Sequence, residues 1–145
     1  MILIFMIMFL IDSHIHLYLN DFKEDREILI EQAKQQNIKK FLLPNIDLGT
    51  INDMILLCQK YPKTCYPMIG LHPCSVKKNY LTILNQMKKQ MKSANFIAIG
   101  EIGIDLYWDK NFIEEQKEAF QIQINWAKKY KLPIVVHCRN SFDEI

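Results

Sequence analysis

IGEIGID, residues 99–105, is an apolar run that contains one glutamate, Glu101, and ends in an aspartate. Comparable apolar runs predict strands near residues 8–16, 40–46, 65–71, 96–102 and 133–139. Each run is rich in Ile, Val, Leu or Phe and is almost continuously apolar, as strands covered on both faces are. The strand-to-strand intervals of roughly 26 to 37 residues match successive βαβ units. The pattern therefore predicts an α/β fold with parallel strands.

Two of the segments between these strands carry helix signals. One follows Gly49 and begins with Thr50, and Asp53 three residues on occupies the second position of a capping box. The other covers roughly residues 112–130 and stops before Pro133, which cannot continue a helix. We therefore expect helices over both segments.

Polar residues close several of the predicted strands, and this favours a TIM-type (β/α)8 barrel, whose active sites lie at the C-terminal ends of its strands. An open doubly wound sheet is the structural alternative. Such a sheet would need a glycine-rich phosphate loop, and the 4 glycines of this chain do not form one. No internal repeat, low-complexity tract or linker divides the sequence, so we expect residues 1–145 to form a single domain.

All 4 histidines lie at the ends of predicted strands. Residues two apart on a strand share a face, so His14 and His16 are expected to point the same way and could hold one divalent ion. A lone histidine can equally be a core or surface residue, and that interpretation stays open for His72. Taken together, His14, His16, Glu101 and His137 predict a metal site.

Composition sets wider bounds on the protein. A chain of 145 residues that is 50% hydrophobic can bury one core, and its net charge of +2 permits a phosphate-bearing substrate without arguing for one. The 4 cysteines form no CxxC pair, so we interpret them as free thiols in a reducing compartment and expect a cytoplasmic protein. The sequence indicates no protein partner.

The chain opens with the apolar run MILIFMIMFLI at residues 1–11. This run is too short to span a bilayer, and it lacks the basic start and the cleavage site of a signal peptide. We expect residues 1–7 to be an apolar extension ahead of the first strand, with Met6 or Met8 as possible start sites, and we expect no membrane association. A membrane anchor is the lesser alternative.

The stretches IDSHIHL, IGLHP, AIGEIGIDLYW and EEQKEAFQIQINWAKKYKLPIVVHCR resemble, in order and spacing, the TatD family of metal-dependent deoxyribonucleases. This family lies within the amidohydrolase-like barrel hydrolases. The resemblance runs from about Ile11 to the end of the chain. A lone His-x-His is shared with other barrel hydrolases, whereas GEIGID followed by the helical stretch around Gln116–Phe120 and then by LPIVVHCR is specific.

The resemblance implies a site that binds two divalent metal ions, such as Mg, Mn or Zn. His14 and His16 would hold the first metal, and His137 would bind the second. Glu101 would bridge the two metals and be the catalytic carboxylate. The resemblance also implies that the substrate is DNA, cut at phosphodiester bonds from a 3′ end. The chemistry agrees, since two such ions can stabilise the attacking and leaving oxygens of a phosphodiester together.

Four further residues also match or depart from the family pattern. The resemblance implies that His72 and Arg139 face the substrate phosphate, and a planar guanidinium suits that task. Asp105 is interpreted as a loop residue or as a support for a ligand, in preference to a ligand itself. Tyr18 stands where the family commonly has an acidic residue, which puts a loop hydrogen bond in doubt.

A complete barrel takes about 250 residues, so this chain of 145 residues is expected to form an incomplete barrel of about five β/α units. The family's further metal-binding histidine and its late aspartate have no counterpart here. Three interpretations follow: the N-terminal portion of an active hydrolase, an inactive truncated remnant, or a related amidohydrolase that acts on a small amide or ester.

Overall fold

Strands and helices alternate along residues 9–145, the part of the chain that the computed structural model describes. The extension expected at residues 1–7 lies outside the described residues. The strands are β1 (Leu10–Asp12), β2 (Ile38–Leu43), β3 (Cys65–Pro67), β4 (Ile99–Asp105) and β5 (Ile134–Arg139). The helices are α1 (Arg26–Gln35), α2 (Ile51–Lys60), α3 (Tyr80–Gln90) and α4 (Ile113–Tyr130). Among residues 9–145, none of these helices is both long and apolar enough to cross a membrane.

The strands are parallel and follow chain order. One sheet has the order β1-β2-β3, and a second sheet pairs β4 with β5. A parallel bridge between Ile69 and Ile99 connects the sheets, and the Gly100 amide donates to the Ile69 carbonyl at 2.9 Å. A doubly wound sheet would reverse its strand order partway, and this arrangement does not. The predicted α/β fold with parallel strands is confirmed.

Two strands are much shorter than predicted, and their hydrogen bonds explain both, while β4 begins and ends three residues later than the predicted 96–102. β1 ends at Asp12, whose carboxylate accepts the His14 amide at 3.1 Å and so removes it from the strand ladder. β3 ends at Pro67 because the chain then changes partner: the Met68 amide still donates to the Leu43 carbonyl at 2.9 Å, but the Ile69 amide donates to the Ala98 carbonyl at 3.2 Å. The predicted strands over 8–16 and 65–71 are therefore wrong at their C-terminal ends, which lie at Asp12 and Pro67. His14 and His16 lie in the loop after β1, so strand alternation does not explain their orientation.

The predicted capping box at α2 is also wrong. Thr50 occupies the N-cap position, but its side chain makes no capping hydrogen bond. Its hydroxyl instead lies 3.0 Å from the Asn45 side-chain oxygen and 3.0 Å from the Asp47 carbonyl. Asn45 is buried and donates in turn to the Gly70 carbonyl at 3.0 Å. Thr50 thus fixes the loop between β2 and α2.

β4 lies at the centre of the core, with all seven of its residues buried. Helix α4 covers it and spans nearly the predicted segment. The buried face of α4 repeats at helical spacing and consists of Gln116, Ala119, Phe120, Gln123, Trp126 and Ala127. By contrast, Ile134 and Val136 on β5 remain exposed. The best-covered strand is therefore the one that carries Glu101.

The two buried glutamines of α4 satisfy backbone groups at strand ends. The Gln116 side-chain oxygen accepts the Asp105 amide at 2.8 Å. The Gln123 side-chain oxygen accepts the Leu71 amide at 2.7 Å, and its nitrogen donates to the Leu71 carbonyl at 3.3 Å. Because buried backbone groups need partners, these contacts hold the helix at the end of the sheet where the histidines lie.

Replacing Gln123 with Leu is expected to lower the free energy of unfolding by about 2–6 kcal/mol. The substitution keeps the volume but leaves the Leu71 amide and carbonyl buried without a partner, at about 1–3 kcal/mol each. Urea denaturation measures the loss. Gln121→Leu on the exposed face of α4 is the matched control, and equal stability of the two variants would contradict the prediction.

All four cysteines of the chain are free thiols. Burial raises the pKa of Cys58 to about 12 and that of Cys65 to about 11. The nucleophilic form of cysteine is the thiolate, so neither of these two residues is suited to covalent catalysis.

Candidate metal centre

The four histidines converge on Glu101 from separate segments of the chain. The Glu101 side chain is 9% exposed, and its Oε2 lies 2.9 Å from His14 Nε2 and 3.8 Å from His16 Nε2. Its Oε1 lies 3.0 Å from His137 Nδ1 and 3.7 Å from His72 Nε2. One carboxylate therefore divides its two oxygens between two pairs of imidazoles. The structure brings together all four residues that the sequence singled out as metal ligands.

The ring of His16 is oriented by the backbone just after β2, which contacts the nitrogen that faces away from Glu101. Its Nδ1 lies 3.0 Å from the Pro44 carbonyl and 3.0 Å from the Tyr18 hydroxyl, which itself donates to the same carbonyl at 2.6 Å. Because a carbonyl only accepts, Nδ1 carries the proton and Nε2 presents its lone pair toward Glu101. Burial, and then the neighbouring His14, lower the pKa of His16 and favour the neutral ring. Tyr18 therefore supports the site, a role that its sequence position did not indicate.

His137 is oriented in the same way by Asp105. The Asp105 Oδ2 lies 2.8 Å from His137 Nε2, and Oδ1 accepts the amides of Tyr107 at 2.9 Å and Trp108 at 3.0 Å. Burial raises the pKa of Asp105, but hydrogen bonds from the Trp108 amide, His137 and the Tyr107 amide outweigh it and lower the pKa to about 2. The ionised carboxylate accepts the Nε2 proton and leaves the Nδ1 lone pair facing Glu101. A carboxylate behind a histidine is a common support for a metal ligand.

His72 makes a different kind of contact. It follows β3 and precedes the 3-10 turn Pro73–Ser75, where its Nδ1 accepts the Cys74 amide at 3.1 Å. Burial lowers the pKa of His72 to about 4, so the ring is neutral near pH 7. With Nδ1 accepting, the proton lies on Nε2, which is 3.0 Å from His137 Nδ1. His72 is therefore a hydrogen-bond donor within the site, although its distance alone groups it with possible ligands.

Arg139 lies at the rim of the site, stacked on two aromatic rings. Its guanidinium carbon is 4.2 Å from the Tyr107 ring centroid and 5.3 Å from the Trp108 ring centroid. The backbone of Arg139 pairs with Asp105 in the β4–β5 register, and its carbonyl accepts the Leu106 amide at 2.9 Å. Arg139 thus lies beside the histidine cluster and contacts residues that our sequence analysis did not single out.

The chemistry of this cluster fits divalent cations. Two sets of possible ligand atoms lie within 4.8 Å of one another: His14, His16 and Glu101 form one set, and His72, Glu101 and His137 form the other. Imidazole nitrogen and carboxylate oxygen suit Zn or Mn, and carboxylate with water suits Mg. Glu101 belongs to both sets, as a bridging ligand would.

Replacing Asp105 with Asn is expected to weaken binding of Mn²⁺ about 10- to 100-fold, the usual effect of losing a carboxylate behind a ligating histidine. The neutral amide no longer fixes which nitrogen of His137 carries the proton. Isothermal titration calorimetry measures the affinity. Asp109→Asn, which changes a loop carboxylate paired with Lys77 at 3.2 Å, is the control. Unchanged affinity in the Asp105 variant would contradict the role assigned to it.

Known proteins resemble this chain along nearly all of its length. The family model described as TatD related DNase matches residues 11–145. The uncharacterized metal-dependent hydrolase YabD of Bacillus subtilis is 32% identical over 136 residues, which cover 94% of this chain and 53% of YabD. The 3'-5' ssDNA/RNA exonuclease TatD of Pectobacterium parmentieri is 30% identical over 130 residues, which cover 90% of this chain and 50% of that protein. The chain spans about half the length of these curated relatives.

Two solved structures share the fold. The crystal structure of YjjV, a TatD homologue from Escherichia coli, matches with a TM-score of 0.82 and 29% identity, covering 92% of this chain and 52% of YjjV. A TatD family hydrolase from Entamoeba histolytica matches with a TM-score of 0.73 and 23% identity, covering 92% of this chain and 51% of that one. The fold is therefore of the TatD type, within the TIM-barrel hydrolase superfamily.

Proposed function

The chain belongs to the TatD family, and on that premise we propose that it carries the metal site of a hydrolase that cleaves DNA phosphodiester bonds from a 3′ end. The two carboxylate oxygens of Glu101 face different histidines, and this observation carries the proposal: Oε2 lies 2.9 Å from His14 Nε2, and Oε1 lies 3.0 Å from His137 Nδ1. The name of one relative, a 3'-5' ssDNA/RNA exonuclease, supports the choice of nucleic acid as substrate.

In this proposal His14 and His16 would hold a first divalent ion, and His137 would hold a second. Glu101, whose two oxygens face both pairs of histidines, would be a ligand common to both and the catalytic carboxylate. Two divalent ions would stabilise the attacking and leaving oxygens of a phosphodiester when bound. Glu101 is buried in the floor of the site, where the exclusion of water strengthens its attraction for cations.

In this proposal His72 and Arg139 contact the phosphate, and Asp105 orients His137. The His72 Nε2–H donates a hydrogen bond into the site, because its Nδ1 is already engaged by the Cys74 amide. Within residues 9–145 the Arg139 guanidinium makes no hydrogen bond to another residue, so its N–H edge can bind two oxygens of a phosphate in bidentate fashion. Asp105 keeps His137 in the tautomer that leaves Nδ1 free of a proton.

The test uses the protein at its full encoded length with single-stranded DNA. We expect Mn²⁺- or Mg²⁺-dependent release of nucleotides that a phosphorothioate at the 3′-terminal linkage blocks. The matched control carries the phosphorothioate at the 5′-terminal linkage and is expected to be degraded normally. Metal-dependent hydrolysis of small amides or esters without DNA cleavage would overturn the proposal in favour of an amidohydrolase, and the absence of any hydrolysis would favour an inactive remnant.

A further inference from the structure

An exposed pair of aromatic residues lies directly after β4. Tyr107 is 53% exposed and Trp108 is 68% exposed. Their ring centroids are 4.8 Å apart and their planes are at 87°. Single exposed apolar side chains are common. Two adjacent aromatic rings capped by the guanidinium of Arg139 are a more specific arrangement, and neither ring contributes to the buried core.

The loop that carries these rings is held in place by hydrogen bonds. The Asp105 carboxylate accepts both the Tyr107 and the Trp108 amides. Further along, Lys77 pairs with the Asp109 carboxylate at 3.2 Å, and the Gln116 side chain donates to the Asp109 carbonyl at 3.4 Å. The rings are therefore presented in a fixed arrangement, which reduces the entropy lost when a ligand binds.

The same carboxylate connects the rings to the metal centre. One oxygen of Asp105 holds the loop amides, and the other lies 2.8 Å from His137 Nε2. The opposite nitrogen of His137 lies 3.0 Å from Glu101. Asp105 thus contacts both the backbone that carries the two rings and a residue of the metal centre, and Arg139, two residues after His137, lies over the rings.

We propose that Tyr107, Trp108 and Arg139 form a stacking subsite for one unpaired nucleobase of a single-stranded nucleic acid, next to the phosphate bound at the metal centre. This proposal rests on the proposed function and specifies the form of its substrate. A base presents a π-face to an aromatic ring only when it leaves the duplex stack, so the subsite selects a single strand. Arg139 contacts the rings with its face and leaves its N–H edge for the adjoining phosphate.

The subsite is tested by binding in the presence of EDTA, so that no strand is cut. Two short single-stranded thymidine oligonucleotides are compared, one with a normal 3′-terminal residue and one whose 3′-terminal residue is abasic. Wild-type protein is expected to bind the normal end about 5- to 140-fold more tightly, since base stacking contributes about 1–3 kcal/mol. Trp108→Ala is expected to bind both ends equally, and Trp108→Phe is expected to restore the preference.

Tyr130→Ala is the matched control, because Tyr130 is also exposed and also lies under a basic side chain, that of Lys129, but at the far end of α4. This variant should keep the wild-type preference. Intrinsic fluorescence gives a second measure, since the other tryptophan, Trp126, is buried in the core. Binding of the normal end is expected to quench the emission of Trp108, and Trp126→Phe should leave that quenching in place.

Two outcomes would overturn the subsite: equal binding of both ends by the wild-type protein, or an unchanged preference in Trp108→Ala. Neither outcome depends on hydrolysis. Cleavage of bis(p-nitrophenyl) phosphate with Mn²⁺ by the full-length protein tests the proposed hydrolase separately. Its failure with a retained base preference would leave the subsite standing, and its success without a base preference would remove only the subsite.

Discussion

Replacing Glu101 with Gln is expected to lower the rate of DNA hydrolysis roughly 10³-fold or more while leaving the fold nearly unchanged. Gln has almost the volume of Glu, and the side chain is only 9% exposed, so packing on β4 should persist. The amide has no charge, and only one of its two terminal atoms can bind a cation. A bridging ligand would therefore be lost, together with the several kcal/mol of charge stabilisation that metal ions supply.

Three measurements on Glu101→Gln separate these effects. Single-turnover hydrolysis of single-stranded DNA gives the rate, thermal unfolding checks the fold, and calorimetric titration with Mn²⁺ gives the number and affinity of bound ions. Glu114→Gln is the control, because Glu114 is an exposed helix residue paired with Lys117. Unimpaired turnover in the Glu101 variant would remove the bridging role and the two-metal hypothesis with it.

Sequence alone was sufficient to predict the elements whose signals are local. β4 is continuously apolar around Glu101 because it is covered on both faces. Helix α4 has one apolar face and ends ahead of Pro133, so both its existence and its end could be predicted. Alternation of such elements also predicted the parallel arrangement, since parallel neighbours need a crossover between them.

The ends of β1 and β3 could not be predicted, because distant or special contacts set them. At β1 the decisive contact is the Asp12 carboxylate on the His14 amide, which competes with the strand ladder. After Pro67 the chain turns from β2 to β4, with the Met68 amide donating to Leu43 and the Ile69 amide to Ala98. Hydrophobic periodicity cannot show such a change of partner.

The candidate site could be predicted in its principal members but not in their orientation. Histidines and a glutamate at the ends of apolar runs are costly to bury without a function, and that signal is visible in the sequence. Tyr18 was identified only as a departure, because its partner, the Pro44 carbonyl, lies 26 residues away. The tautomer of His72 depends on the Cys74 amide, a contact that exists only once the turn has formed. Whether these residues bind metal stays a prediction.

Replacing Gly103 with Ala is expected to destabilise the pairing of β4 with β5 strongly. Its φ angle is +143°, a conformation that residues with a side chain rarely adopt, and an added Cβ would overlap the backbone carbonyl of His137. Gly103 and His137 are direct partners in the β4–β5 ladder. Replacing Gly103 with Ala must therefore strain the backbone and push β5 away from β4, at a cost on the order of 3 kcal/mol or more.

Displacement of β5 should also move His137 away from Glu101, so Gly103→Ala is expected to lose Mn²⁺ affinity as well as thermal stability. Gly49→Ala is the matched control, because a Cβ there would meet only the Asp47 carboxylate oxygen at 3.4 Å, an ordinary contact. That control should change the free energy of unfolding by less than about 0.5 kcal/mol. Urea denaturation and Mn²⁺ calorimetry compare the two variants. A Gly103→Ala protein as stable as Gly49→Ala, with unchanged Mn²⁺ affinity, would show that the close approach of β4 and β5 does not hold His137 in position.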